Sequence, residues 1–423
     1  MSSPGWIRAQ IGTLIIATSL VQLANGYFTT FLSLRLSKAE FGASLTGLVL
    51  SSYFAGFTLG ALRSGRIIER IGYIRAYAAF AGLVVVATAA MPMRISPGAW
   101  IILRSLIGFG CSGIFVTTES WLNAKAEPSK RGSVFSIYMV GTFLALALGQ
   151  LLIVHIPVEG SQPFHTIEAL FAVALVTVTL TKAEPPLVTP TGKLPFSQLW
   201  SAAPLAVAGC ITKGLVSSTF YALVPAWAQN KNVERETIAL FMLVAVLGGL
   251  AFQIPVGRIS DRFDRRIVLA SLATGLAATA LAIVYLPDFL LDLLPAAALL
   301  GGFISTLYPV SAANAHDRMP ADRVVAVSGQ LILMSGVGSV MGPLIGTNIM
   351  TRFEINGVFY FIAAAAGLLA LLAVTYSKLR TAPFNLRRPF KILPPDATLI
   401  THDPVGSSAN APAAPDGNGT LAQ

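Results

Sequence analysis

Long apolar runs, broken at short intervals by clusters of arginine, lysine, proline and glycine, fill most of the chain. A helix crossing the hydrocarbon core of a bilayer needs about 20 mostly apolar residues. Twelve runs meet that length: 11–34, 44–64, 73–93, 98–120, 133–154, 164–181, 202–228, 237–256, 266–287, 290–313, 323–348 and 356–376. The sixth carries the weakest apolar signal. Most connections are short, as adjacent antiparallel helices require. The longest, 182–201, holds Pro185, Pro186, Pro190 and Pro195 and reads as a linker. The pattern predicts an all-α integral membrane protein: a six-helix bundle over 1–181, a cytoplasmic linker over 182–201 and a second six-helix bundle over 202–380. After these, residues 381–423 lack periodicity and are expected to form a disordered cytoplasmic tail.

Composition supports the same class. Hydrophobic residues make up 54% of the 423 and charged residues 11%, against about 25% charged in a soluble domain. The formal charge of +10 would suggest nucleic acid in a soluble chain, but here its placement matters more. Arg63, Arg66, Arg70 and Arg75, then Lys125, Lys130 and Arg131, then Arg258, Arg262, Arg265 and Arg266 share one side of the predicted bilayer. Arg8, Lys182, Lys193, Arg318, Arg323 and the basic residues from Lys378 to Lys391 join them. The other side has only Arg35, Lys38, Arg94, Lys231, Arg235 and Arg352. The positive-inside rule makes the first side, and both termini, cytoplasmic. The basic balance then reflects topology and anionic lipid, so nucleic acid is rejected and a plasma membrane is expected. The first span, preceded by Arg8, resembles a signal peptide in isolation; eleven further spans make it an uncleaved first helix. The sequon at Asn418 is read as chance on a cytoplasmic tail.

Chemistry-bearing clusters are not apparent. Cys111 and Cys210 lie in apolar stretches, and His155, His165, His316 and His402 are scattered. No phosphate-binding loop occurs. The chain is not expected to be an enzyme or to hold a cofactor or metal.

An internal repeat is visible. Gly65-Arg66-Ile67-Ile68-Glu69-Arg70-Ile71-Gly72 follows span 2, and a shift of 192 residues reaches Gly257-Arg258-Ile259-Ser260-Asp261-Arg262-Phe263-Asp264 after span 8. The same shift takes Gly110 to Gly302, Pro128 to Pro320 and Arg131 to Arg323. One gapless offset therefore joins two loops and a helix, as in transporters built from repeats.

The loop pattern Gly-x-x-x-Asp/Glu-Arg-x-Gly resembles the signature of the major facilitator superfamily, over residues 1 to about 380. Ser51-Ser52-Tyr53-Phe54, Glu119-Ser120, Arg131-Gly132, Tyr138-Met139 and Gly149-Gln150 resemble a bacterial group of transporters without assigned substrate. The resemblance implies twelve helices in two pseudo-symmetric bundles. It also implies that Glu69 faces the N-terminus of span 11 at Arg323 and Asp261 that of span 5 at Arg131, where the helix dipole and the arginines hold a carboxylate. Gly65, Glu69, Arg70, Gly72, Arg75 and Arg131 would then form, with Gly257, Asp261, Arg262 and Arg323, cytoplasmic latches. Gly65 and Gly257 are read as allowing close helix approach. The first copy departs from the pattern, with Glu69 for the usual Asp and Tyr73-Ile74 where basic residues are common. The alternative is that these charges only enforce topology.

By the same resemblance spans 1, 4, 7 and 10 border a central cavity. Polar stripes at helical spacing occur on each: Thr18, Gln22, Asn25 and Thr29; Arg104, Gly108, Ser112, Phe115 and Glu119; Lys213, Ser217 and Tyr221; Ser305 and Tyr308. Polar groups facing lipid are costly, so these faces should turn inward, to line a cavity or to join helices. Gln22, Asn25, Arg104, Lys213, Ser217, Tyr221 and Tyr308 are the candidate substrate-binding residues. Arg104 resembles the span-4 arginine of proton-coupled members. Lys213 sits near the midplane, to bind an anion or else to be solvated there. Glu119 is the one acid clearly inside a span. It is either the proton carrier or part of the cytoplasmic interface. Span 11 carries Gly336, Gly338, Gly342-Pro343 and Gly346. These resemble the Gly/Pro motif of drug antiporters, which normally occupies span 5, so Gly342 and Pro343 are read as a kink for rocking.

The expectation is a monomeric, multi-pass secondary transporter working by alternating access, with a small anionic or neutral polar substrate and the proton as coupling ion. The alternatives are a proton-driven drug efflux antiporter and a non-transporting membrane sensor.

Overall fold

The computed structural model describes residues 4–38, 41–126, 130–180, 195–285, 290–320 and 323–379. Most of the expected linker and the whole tail lie outside the described residues, as do Lys182, Lys193 and Pro128. The first half comprises α1 (Pro4–Ser37), α2 (Ala43–Ile71), α3 (Tyr73–Ala90), α4 (Pro97–Lys125), α5 (Arg131–His155) and α6 (Gln162–Thr179). A short α7 (Phe196–Ala202) occupies the end of the expected linker. The second half comprises α8 (Pro204–Asn230), α9 (Arg235–Arg262), α10 (Arg265–Tyr285), α11 (Leu290–His316), α12 (Val324–Arg352) and α13 (Gly357–Leu379). Twelve of these helices are long and apolar enough to cross a membrane, and they correspond one to one with the expected spans. Spans 7 to 12 are thus α8 to α13.

Several helices outrun the apolar stretch that predicts them, because hydropathy marks the hydrocarbon core and not the last hydrogen-bonded turn. Thus α4 continues to Lys125 and α9 to Arg262. Their starts are set locally: the Ser96 side chain accepts from Ala99 N–H at 3.3 Å ahead of α4, and Asp264 Oδ1 accepts from Arg266 N–H at 2.9 Å ahead of α10. Gly72, with φ +80°, makes the turn between α2 and α3, a conformation that costs glycine little.

Outward faces are apolar, with Val86, Ile102, Leu368 and Leu371 all more than half exposed. Thr18, Gln22, Arg104, Glu119, Gln150 and Gln253 are buried. That inversion suits a chain solvated by lipid.

Packing repeats as the sequence does. In the first half α2 packs on α4, α1 on α5 and α6, and α3 on α4 and α6; in the second α9 packs on α11, α8 on α12 and α13, and α10 on α11 and α13. Gly108 on α4 meets the Tyr53 carbonyl oxygen of α2, and Gly301 on α11 meets the Ala245 carbonyl oxygen of α9. Likewise Gly149 on α5 meets Leu23 of α1, and Gly342 on α12 meets Leu215 of α8. Each second pair is the first carried along by about 192 residues. The backbones approach so closely that a side chain could not fit between them. Across the halves, α2 packs on α12, α5 on α9 and α1 on α8.

Candidate transport cavity

A cavity of about 100 Å³ lies between the halves. From the first half Asn25, Gly26 and Thr29 of α1, Tyr53, Phe54, Phe57 and Thr58 of α2, and Leu146 and Gln150 of α5 line it. From the second half come Lys213, Ser217 and Tyr221 of α8, and Ile332, Ser335, Gly336 and Ser339 of α12. Positions equivalent under the repeat line it together: Asn25 corresponds to Ser217 and Thr29 to Tyr221. The wall is hydroxyl-rich, aromatic on α2, and among the described residues its one charged side chain is Lys213.

Four of the expected substrate residues therefore line the cavity: Asn25, Lys213, Ser217 and Tyr221. Gln22 is buried one turn from it and accepts from Asn25 Nδ2 at 3.5 Å. Tyr308 is buried behind Lys213, whose Nζ stands 6.0 Å from the ring centre. Arg104 is 4% exposed and lies outside the lining. Its guanidinium carbon stands 4.8 Å from the Phe28 ring centre and 4.6 Å from that of Tyr53, so the charge is held between two aromatic faces. Among the described residues α4 and α11 contribute nothing to the lining, and the glycine contacts show why. The face of α4 carrying Gly108 is seated on α2, so the α2 aromatics stand in front of it. Ser112 and Ser305 face Gly60 and Gly249 across the same two helix pairs; Thr18 donates to Thr118 at 3.1 Å. These three join helices.

Glu119 is 3% exposed, off the cavity, and accepts from Tyr138 Oη of α5 at 3.2 Å. It also lies close enough to Tyr308 in the other half for its charge to act there.

At the arginine-poor end of the helices the halves are tied together. Ser37 of α1 donates to the Gln229 side chain of α8. The Ala226 N–H donates to Ser33 Oγ at 3.1 Å, and Ser44 to Asn348 at 3.4 Å. Glu159, in the α5–α6 connection, pairs with Lys38 at 2.7 Å and reaches Arg235 of the second half at 3.9 Å. The Lys38 hydrogen bond holds the Glu159 carboxyl below the usual carboxylate range.

The arginine-rich end is arranged differently. Glu69, Arg70 and Arg75 are exposed, and Glu69 makes no ion pair among the described residues. Arg323 donates to Gln198 of α7 at 3.3 Å. Asp261 pairs with Arg265 at 3.5 Å within its own half, and Arg265 also pairs with Asp317 at 3.0 Å. Arg262 is exposed beside Asp261 and Gly257 is buried, whereas Gly65 has no neighbouring atom within 4 Å of where a Cβ would stand. Arg131 begins α5 with its Nε buried and, among the described residues, without a hydrogen bond. The first copy of the motif has Tyr73 at the position of Arg265. Its ring packs on Trp121 at 5.9 Å, so one copy uses aromatic packing where the other uses ions. Pro343 lies inside α12, which continues through it.

The sequence reading missed the α2 aromatics, Gln150 of α5, and Ser335 and Ser339 of α12. Two signals pointed to them: Gln150 is an amide inside an apolar span, and Ser335 and Ser339 are four residues apart. For the aromatics no hydropathy signal exists.

The Major Facilitator Superfamily profile matches residues 14–251 and 205–398. The chain belongs to the major facilitator superfamily. It is 30% identical over 359 residues to the uncharacterized MFS-type transporter YcaD of Escherichia coli O7:K1 (strain IAI39 / ExPEC), covering 84% of this chain and 92% of that relative. It is 29% identical over the same length to YcaD of Shigella flexneri. Among solved structures it resembles the nucleoside transporter NupG, with a TM-score of 0.71 at 13% identity, over 88% of this chain and 100% of that one. It also resembles a bacterial homologue of the human lysosomal transporter Spinster in an inward-facing, unoccupied conformation, with a TM-score of 0.70 at 15% identity, over 90% and 100%. This member of the superfamily is a multi-pass membrane protein of the secondary transporter class.

Proposed function

We propose that this transporter moves a small anionic or neutral polar solute through the cavity between its halves by alternating access, coupled to protons. The observation that carries the reading is the cavity itself: it is lined by repeat-related positions of both halves, with Lys213 as its one charged side chain among the described residues. In this reading 1–181 and 202–380 rock as two bundles joined by 182–201, and the arginine-rich end is cytoplasmic. Ties at the opposite end, together with the exposed Glu69 and the Asp261–Arg265 pair, then describe an inward-facing state with its outer gate shut. In the outward-facing state Glu69 and Asp261 turn to Arg323 and Arg131, and close packing of α12 on α8 at Gly342, next to Pro343, serves the movement. Glu119, buried yet near both Tyr138 and the second half, is the proton carrier, and Arg104, roughly 22 Å away along α4, supports the Tyr53 wall.

A cationic-drug antiporter is less well supported, because among the described residues no carboxylate lines the cavity to receive a cation. A non-transporting sensor is separated by flux. The test is internal pH in proteoliposomes as pools of organic anions, sugars and hydrophobic drugs are added outside, with labelled uptake followed in parallel. A pool-dependent pH change that Glu119→Gln abolishes is expected. Uptake without any pH change removes the proton assignment, and no uptake of any pool removes transport.

A further inference from the structure

The geometry points to a gated anion site: Arg104 receives a carboxylate of the transported solute, and the Tyr53 ring is the door that covers it. This rests on the cavity being the solute site. Three observations carry it.

The first is an imbalance among the buried cations. Three arginines are buried among the described residues: Arg104, Arg265 and Arg266. Arg265 pairs with Asp261 and Asp317, and Arg266 with Asp264. Arg104 has no such carboxylate partner among the described residues, and its Nε is buried without a hydrogen bond. A guanidinium inside a membrane-spanning helix is costly to hold, and is either paired within the protein or kept for a ligand. The aromatic faces on either side offset part of that cost, but they supply no oxygen for its N–H donors.

The second is what covers it. The ring centres of Phe28 and Tyr53 stand 4.8 and 4.6 Å from the guanidinium carbon. Phe28 is fully buried and outside the cavity lining, so it has no space to turn into. Tyr53 borders the cavity beside Phe54 and Phe57, so rotation of its side chain carries the ring into open space. Its place on α2 suits that movement. Gly56 seats α2 on Ser105 of α4, and Thr58 meets Gly336 of α12; by helical spacing Tyr53 lies between those two faces. In this state the door is shut, and Arg104 is 4% exposed.

The third is shape. With rings on its faces, the guanidinium presents its donors along one planar edge, where two oxygens can be taken at once. A carboxylate is flat and lies in that plane; a tetrahedral phosphate does not. Arg104 also follows Pro97, the start of α4, by two turns, about 10 Å from the arginine-poor end. The site therefore serves the outer half of the pathway.

Modification of Arg104 by phenylglyoxal in the purified full chain, read at that residue by mass spectrometry, tests this without a known solute. Wild type should react slowly but measurably, Tyr53→Phe at the same rate, and Tyr53→Ala at least tenfold faster. Acetate and benzoate should slow the reaction severalfold in wild type and in Tyr53→Ala, whereas acetamide, benzamide and inorganic phosphate at equal concentration should not. Thermal midpoints show that each variant is folded, and Tyr53→Leu takes the place of Tyr53→Ala if that variant is not. No reaction in wild type, or equal rates in wild type and the folded ring-deleted variant, removes the door. Equal rates with and without carboxylate, or equal protection by the amides or phosphate, removes the anion site and leaves the sandwich a structural contact. If some pool is transported and neither carboxylate protects Arg104, the inference fails and transport stands. If protection is as stated and no solute is transported, the site stands and transport fails.

Discussion

Gly47 offers the sharpest handle on the proposed outer gate. It lies near the start of α2, where that helix meets the end of α12 across the two halves. A Cβ placed there stands 2.5 Å from Thr347 Oγ1 and 3.1 Å from the Pro343 carbonyl oxygen. Thr347 cannot simply swing away, because its hydroxyl donates to that same carbonyl at 2.8 Å. Losing that bond costs about 1 kcal/mol, and overpacking a close helix contact costs about 1–3 kcal/mol. The penalty falls only on the state in which the outer ends touch. At 1.4 kcal/mol per tenfold, Gly47→Ala should shift the balance toward an outer-open state by roughly five- to a hundredfold. Gly42→Ala is the control, having no atom within 4 Å and an ordinary φ of −57°. Spin labels on Leu45→Cys and Arg352→Cys report the distance, and the native Cys111 and Cys210 are buried and stay unlabelled. A longer-distance population that grows in Gly47→Ala and not in Gly42→Ala is expected. Identical distance distributions in both would refute the idea that this contact holds the gate.

Three further outcomes follow from the same structure. Glu159 has its carboxyl pKa depressed by Lys38, so its contribution to the outer closure is present above the ordinary carboxylate pKa and is lost as pH falls through the depressed value. Outer closure should then hold from neutral pH down to the ordinary carboxylate range and loosen below it, and Glu159→Gln should remove that dependence in the same distance measurement. Arg104→Lys keeps the charge but loses the planar stacking on Phe28 and Tyr53; a lower thermal midpoint, from a loss of about 1–2 kcal/mol, is expected, and an unchanged midpoint would mean the sandwich contributes nothing. Gly108→Ala and Gly301→Ala should each destabilise by about 1–3 kcal/mol, since both place a side chain on a facing carbonyl, whereas Gly82→Ala, in open space, should not.

What was legible in the sequence follows from what lipid demands. Twelve spans and the repeat could be read because apolar length and a gapless offset survive without knowledge of neighbours. Asn25, Lys213, Ser217 and Tyr221 could be found because a polar group in an apolar helix must turn inward. Tyr53, Phe54 and Phe57 could not, because an aromatic residue is equally at home against lipid, a neighbouring helix or a ligand. Their orientation is set by Gly56 and Gly108, which bring α2 onto α4. That same close fit keeps Arg104 and Glu119 out of the lining despite their shared face on α4. At the loops, the cross-half partners that the resemblance implied are not the ones formed among the described residues: Asp261 pairs within its own half, one turn away, and Arg323 donates to Gln198 of α7.

The central claim is that one cavity serves both sides of the membrane in turn. Ser217→Cys places a thiol in that cavity, and a membrane-impermeant maleimide can be offered to right-side-out and inside-out vesicles. The account predicts labelling from the arginine-rich face in the unaltered background, labelling from the opposite face once Gly47→Ala opens the outer gate, and loss of solute uptake in both cases. Labelling from one face under every condition, or labelled protein that still takes up solute at the full rate, would contradict it.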